Sequence, residues 1–257
     1  KMIVSATEEQ DWYRFNKKIS FDAEDWTSVS HTYYQIDDGE WLEYKQSIDP
    51  YVTIKTEGIH TISYYSIDYY GNEEAVNTGI IRIDKTMPTL NISITGSMQH
   101  GWYVDEPLVT INGDDVLSGL DLIIYKVDNG QWTEYDTSFN LEDGAHRLYA
   151  YALDQAGNQF GYEEPFMVNV DTKNPTTICQ LIGEGNQFDY YQTVSVYLTS
   201  SDTGSGVKNI YYSLDDGAMN EYHDMVEVTT LGNHQISFYA VDALGNEEPV
   251  QSRTFSV

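Results

Sequence analysis

Apolar and polar residues alternate with period two along most of the chain, in runs bounded by Gly, Asp, Asn and Pro. Alternation places successive side chains on opposite faces of an extended strand. No 3.6-residue apolar stripe competes with it. The first stretch predicts strands at 3–6, 18–22, 32–36, 41–44, 52–55, 60–68 and 79–83. The second predicts strands at 89–94, 108–111, 122–127, 131–135, 139–141, 146–154 and 166–170. The third predicts 194–198, 210–214, 220–222, a strand starting at His234, and 253–257. Asp38-Gly39, Asn129-Gly130 and Asp216-Gly217 separate apolar runs and predict tight hairpin turns, because both residue types tolerate positive φ.

One stretch recurs three times. Residues 58–72, 144–158 and 232–246 each read Gly-x-His, an alternating apolar run, then Asp-x-x-Gly-Asn. The copies lie 86 and 88 residues apart. Such a period predicts three domains, at 1–84, 85–171 and 172–257. About 87 residues can close one sandwich core and are too few for a large enzyme fold. The polar stretches Asp84-Lys-Thr-Met-Pro88 and Asp171-Thr-Lys-Asn-Pro175 read as linkers, since proline resists continued pairing. About seven short strands per unit, with turns every 8–12 residues, predict an all-β chain of tandem Ig-like or fibronectin-III-like β-sandwiches. Alternation puts Leu148, Ala150 and Ala152 on one face, matched by Ile62, Tyr64 and Ser66 and by Ile236, Phe238 and Ala240. Arranged end to end, three such units would span about 90–100 Å.

The run Tyr212-Ser-Leu-Asp-Asp-Gly217, then Glu221-Tyr222, Gly232-x-His234 and Ala240-Val-Asp-x-x-Gly-Asn-Glu247, resembles a bacterial and archaeal surface repeat family first named from a leptospiral outer-membrane protein. That family carries a β-barrel label. The Asp-x-x-Gly-Asn close and the Asp-Lys-Thr-x-Pro linker also resemble the Ig-like repeats of large bacterial adhesins. The resemblance covers all three repeats. It implies an extracellular or cell-surface spacer or adhesive segment, with other domains of a parent protein and a host or cell-surface protein or glycan as partners. Repeat one lacks the Ser118-Gly119 and Ser205-Gly206 pair, and Met219 stands where the other repeats have Trp41 and Trp132. A membrane barrel needs strands of about 9–11 residues with an outward apolar band. The shorter runs here point instead to self-contained repeats.

Charge narrows the partners. Forty-one acidic residues against 13 basic ones give a formal net charge of −28. That surface repels phosphate backbones and anionic lipid, which argues against nucleic-acid binding and membrane insertion. No 18-residue apolar run offers a transmembrane helix. The single cysteine, Cys179, allows no intrachain disulfide. The chain opens at Lys1 without a signal peptide and reads as a segment of a longer protein.

Each repeat carries one Gly-x-His histidine, His60, His146 or His234, with no cysteine or second histidine at zinc-ligand spacing. The expected role is structural, a hydrogen bond to the preceding loop. No Gly-x-Ser-x-Gly elbow appears, and the chain reads as non-catalytic. The site hypothesis is calcium at the inter-repeat joints. Sandwich topology brings each linker to the loops of the following repeat. That gathers Asp84, Asp114, Asp115, Asp154 and Asn158 at one joint, and Asp171, Asp202, Asp242 and Asn246 at the other. Oxygen ligands from several loops suit Ca2+. The alternative is that each aspartate caps its own turn. Against calcium, Lys85 and Lys173 lie in the same linkers. A carbohydrate-binding accessory module is the other functional reading, with Trp102, Tyr103, Trp132 and Tyr135 as the ring surface.

Overall fold

The computed structural model describes residues 1–4, 11–26, 28–183 and 192–257. The expected strand at 3–6 begins as Met2–Val4, and its last two residues lie outside the described set. Among the described residues six sheets form, and none joins strands from two repeats. In the first repeat Met2–Val4, Lys17–Phe21 and Val52–Ile54 make a three-stranded sheet. Leu42–Glu43, Val29–Ile36, Gly58–Asp68 and Asn77–Ile83 make a four-stranded one. The third repeat repeats this plan with Thr176–Ile182, Val194–Ser201 and Val226–Val228, beside Asn220–Glu221, Val207–Leu214, Asn233–Asp242 and Gln251–Ser256.

The middle repeat adds strands. Thr89–Thr95, Leu108–Asp114 and Phe139–Asn140 form its small sheet. Its large sheet runs Thr133–Glu134, Leu120–Val127, Gly144–Asp154, Phe166–Val170, Trp102–Tyr103 and Met98–Gln99, with Gln159–Gly161 added beside Gly144–Asp154. The added hairpin turns at His100-Gly101, with φ of 50° and 85°. Two successive positive φ values give a turn whose twist matches the strands it joins.

Each pair of sheets closes on its own apolar cluster. Ile19, Phe21 and Ile54 from one sheet meet Ile62, Ile81 and Ile83 from the other. Val109 and Ile111 meet Leu148, Ala150, Ala152, Val168 and Val170. Val194, Val196 and Leu198 meet Ile236, Phe238 and Phe255. Removing one such aliphatic side chain from water stabilises by roughly 1.5–3 kcal/mol. The repeats differ where Thr32 faces Ser66, their hydroxyls 3.1 Å apart. The same register holds Ile123 against Ala152 and Ile210 against Ala240.

The long strands reach 11 residues, well beyond the surrounding runs, because the polar Gly-x-His start also pairs with the closing strand. Thr176–Ile182 has no counterpart among the expected strands. Its solvent face carries Ile178 and Ile182, so apolar residues on both faces erase the alternation. Cys179 sits on its inner side, half-buried against the third cluster. In all three repeats the strand before the hairpin slips register by one residue near its start, between Val29 and His31, Leu120 and Leu122, and Val207 and Asn209. A bulge of this kind bends the strand and increases its local twist.

Candidate functional site

The closing strand of each of the first two repeats runs straight into a buried aspartate. Asp84 follows Ile83 and is fully buried; Asp171 follows Val170 and is 1% exposed. Their amides donate to the carbonyls of Tyr13 and Tyr103, both at 2.9 Å. Their carboxylates reach forward into the next repeat. Asp84 Oδ2 accepts the Ser118 amide at 2.9 Å, and Asp171 Oδ2 accepts the Ser205 amide at 2.7 Å. The Ser-Gly pair that marks repeats two and three is thus the receptor for the preceding linker. The glycines continue the loop at φ of 87° and 91°, where a side chain would be strained.

Two further carboxylates converge on each linker aspartate. Asp84, Asp115 and Asp154 place one oxygen apiece within 4.8 Å of one another, as do Asp171, Asp202 and Asp242. Asp115 Oδ1 accepts the amides of Leu117 and Gly119. Asp202 Oδ2 accepts those of Gly204 and Gly206. Asp154 and Asp242 close the Asp-x-x-Gly-Asn turns. Asp242 Oδ1 takes three amides, from Leu244, Gly245 and Asn246, at 2.7–2.9 Å.

The remaining predicted residues sit beside these groups. Asn158 and Asn246 donate their side-chain amides to Asp154 and Asp242 at 2.8 and 2.7 Å. Asn158 also donates to the Asp84 carbonyl at 3.0 Å, which ties the turn to the linker. They position carboxylates. Asp114 stands apart from the cluster as the last residue of its strand, exposed, with its carbonyl accepting the Thr89 hydroxyl. The linker lysines turn back to the preceding repeat. Lys85 Nζ donates to the Lys55 carbonyl, and Lys173 Nζ pairs with Asp143 at 3.1 Å. Burial pushes the Asp143 carboxyl up, but the Thr172 amide and Lys173 outweigh it and hold it below its ordinary value.

The outer faces of the large sheets carry aromatic pairs. Tyr33 stacks on Tyr65 at 5.4 Å, with Trp41 edge-on at 4.9 Å. Trp132 lies 4.8 Å from Tyr151, and Lys126 caps Trp132 and Tyr149. Tyr211 stacks on Tyr239 at 5.2 Å. Of the rings expected at the surface, Tyr103 is buried and Tyr135 packs edge-on against Tyr125 on the core side. Tyrosine serves either face, so its identity alone did not assign them.

The chain is a tandem array of Ig-like, fibronectin-III-like β-sandwiches. No protein-family model and no curated protein matches it. Solved structures resemble it. The fibronectin(III)-like modules of Clostridium thermocellum CbhA align over 67% of this chain and 94% of theirs, at 14% identity and a TM-score of 0.34. A tetra-tandem repeat from the extending region of a large adhesion protein aligns over 99% of this chain and 74% of its own, at 15% identity and a TM-score of 0.35. A 1.5-MDa bacterial ice-binding adhesin aligns over 94% and 88%, at 13% identity and a TM-score of 0.31. At these identities the likeness concerns the fold alone.

The histidines occupy the opposite pole of each sandwich. His60, His146 and His234 donate from Nδ1 to the carboxylates of Asp37, Asp128 and Asp215, at 2.9, 2.9 and 2.7 Å. Their Nε2 atoms face the carbonyls of Thr56, Glu142 and Thr230, four residues earlier. The aspartates stand at the first hairpin position with φ of 52–53°, one residue before the pair expected to carry the positive φ. Sequence reading passed over them, although an aspartate opens the turn in every copy.

Proposed function

We propose that this chain is a non-catalytic structural and adhesive segment of a larger cell-surface or secreted protein, built from units at 1–84, 85–171 and 172–257. It acts as a spacer or an array for protein–protein contact. The observation that carries this reading is the buried hand-over at Asp84 and Asp171, where a closing strand passes directly into the pole of the next repeat. Arg14 adds a second tie across the first joint, donating to the Gly157 carbonyl at 2.9 Å. Joints of this kind favour holding repeats in line over enclosing a reaction. The surface location and the leptospiral-type membership rest on the motif resemblance. Small-angle scattering tests the spacer role: an in-line array of about 100 Å has a radius of gyration near 30 Å, whereas a compact globule of this length has about 18 Å. The compact value would refute it.

The aromatic outer faces favour a second reading, glycan binding by stacking on Trp41, Tyr65, Trp132 and Tyr151. Affinity electrophoresis in neutral polysaccharide gels tests it. Retardation lost on Trp41→Ala with Trp132→Ala supports it, and unretarded wild-type chain defeats it.

A further inference from the structure

The two joints share a plan but differ in what they leave unpaired. At the first, Asp84 Oδ1 accepts the Thr86 amide at 3.0 Å, and the Ser118 hydroxyl donates to Asp115 at 3.3 Å. No buried side-chain oxygen of that cluster is without a partner. At the second, Asp171 Oδ1, Asp202 Oδ1 and the Ser205 hydroxyl are all buried without a partner. Asp171 is 1% exposed, so water does not solvate its free oxygen from outside. Buried polar oxygens in native proteins are nearly always paired, and an exception calls for an explanation such as an ion.

The flanking sequence separates the joints further. The loop Asp115-Val-Leu-Ser-Gly119 corresponds to Asp202-Thr-Gly-Ser-Gly206. Gly204 lies so close over the Asp171 carboxylate that a Cβ there would collide with it. The first joint has Leu117 at that place. Arg14 brings a guanidinium to the Asp154 turn through Gly157, and the corresponding position before the second joint is Val104. Lys173, the nearest linker cation, is engaged by Asp143. Three carboxylates converge at the second joint, and among the described residues no side-chain cation pairs with them. Like charges so placed favour uptake of a cation.

We propose that Asp171, Asp202 and Asp242 bind one Ca2+ between the second and third repeats, while the homologous joint of Asp84, Asp115 and Asp154 is closed by its own hydrogen bonds. The donors are all hard oxygens, which select Ca2+ or Mg2+ over zinc or copper. Calcium is the better fit, because Asp242 is already fixed by three amides and Mg2+ demands a near-ideal octahedron. This inference stands independently of the spacer role.

The test is calorimetric titration of the chelator-treated whole chain with CaCl2, beside thermal melts with calcium and with chelator. One site per chain is expected, with Mg2+ binding more weakly. Asp171→Asn and Asp202→Asn should each weaken Ca2+ at least tenfold, and Asp84→Asn should leave it unchanged. Saturating calcium should raise the melting temperature by roughly 10 °C at a hundredfold excess over Kd. In chelator, Asp171→Asn should melt no lower than wild type, because the amide oxygen still accepts the Ser205 N–H while repulsion falls. A carboxylate that only capped the loop would instead lower the melting temperature equally with and without calcium. That result, absence of calcium heat, or an equal loss in Asp84→Asn would overturn the proposal. Asp202→Asn, on a partly exposed loop, keeps the test decisive if Asp171→Asn does not fold.

Discussion

His234 and Asp215 are joined at 2.7 Å through Nδ1 and Oδ2, and the other ring nitrogen of His234 lies 2.7 Å from the Thr230 carbonyl. Both partners are acceptors, so a ring carrying both protons satisfies both contacts. The hydrogen bonds from Asp215 and the Thr230 carbonyl raise the His234 pKa. At His146 burial works against the charge, yet Asp128 and the Glu142 carbonyl prevail and the pKa is again raised. The Gln235 amide and His234 hold Asp215 below its ordinary value.

These directions fix a pH window. A histidine with a raised pKa stabilises fully below its unfolded value of about 6.5, and loses that stabilisation as pH climbs through the folded value. An aspartate with a lowered pKa stabilises above about 3.9 and loses it as pH falls. The latch is therefore strongest between about pH 4 and 6.5. We expect His234→Gln to lower the melting temperature of the third repeat more at pH 5.5 than at pH 9. Asp215 is half exposed, so the pH-dependent part should not exceed ~1 kcal/mol. Paired melts of wild type and variant across that range provide the check; a difference that grows with pH would contradict it.

Because each apolar cluster draws on one repeat, core damage should remain local. Leu148 is fully buried at the centre of the second cluster. Leu148→Ala should destabilise that repeat by about 3 kcal/mol. Calorimetry should show one transition shifted down while those of the other repeats hold. A uniform shift of the whole endotherm would mean that the repeats unfold together.

Gly232 has φ of 137° and no neighbour within 4 Å of where a Cβ would stand. Any loss in Gly232→Ala therefore measures backbone strain without steric collision. We expect about 1–3 kcal/mol, read from denaturant midpoints at constant m. Gly58 and Gly144 share the conformation, at 128° and 140°. The Gly-x-His motif is thus a backbone requirement followed by a side-chain latch.

Much of this is legible in the sequence. Alternation puts Leu148, Ala150 and Ala152 on one shared face, and the structure shows that this face is the buried one. Other features depend on folding the chain. Asp128 and His146 are 18 residues apart and meet only because the hairpin turn and the long strand share one end of a sheet. Asp114 and Asp115 are adjacent, and composition cannot choose between them. The strand ends at Asp114, so Asp115, already in the loop, turns toward the linker. Tyr33 and Tyr34 likewise fall on opposite faces, one stacking outward on Tyr65 and the other packing inward near Phe21.

Asn158 links two parts of the first joint at once. Its side chain donates to Asp154 Oδ2 at 2.8 Å and to the Asp84 carbonyl at 3.0 Å, while its backbone amide donates to Asp154 Oδ1 at 2.8 Å. Asp154 is 2% exposed, so losing its carboxylate strands these donors away from water. Asp154→Ala should cost about 2–3 kcal/mol, in the range for an unsatisfied buried group bonded to a charge. Asn158→Ala should cost about 1–2 kcal/mol, since the backbone amide at 158 still donates to the Asp154 carboxylate. The two losses should not add, because most of what Asn158 contributes passes through Asp154. A double-mutant cycle measured by urea unfolding should return a coupling of at least ~1 kcal/mol. A coupling near zero would show that Asn158 acts on the Asp84 carbonyl independently of the turn it closes.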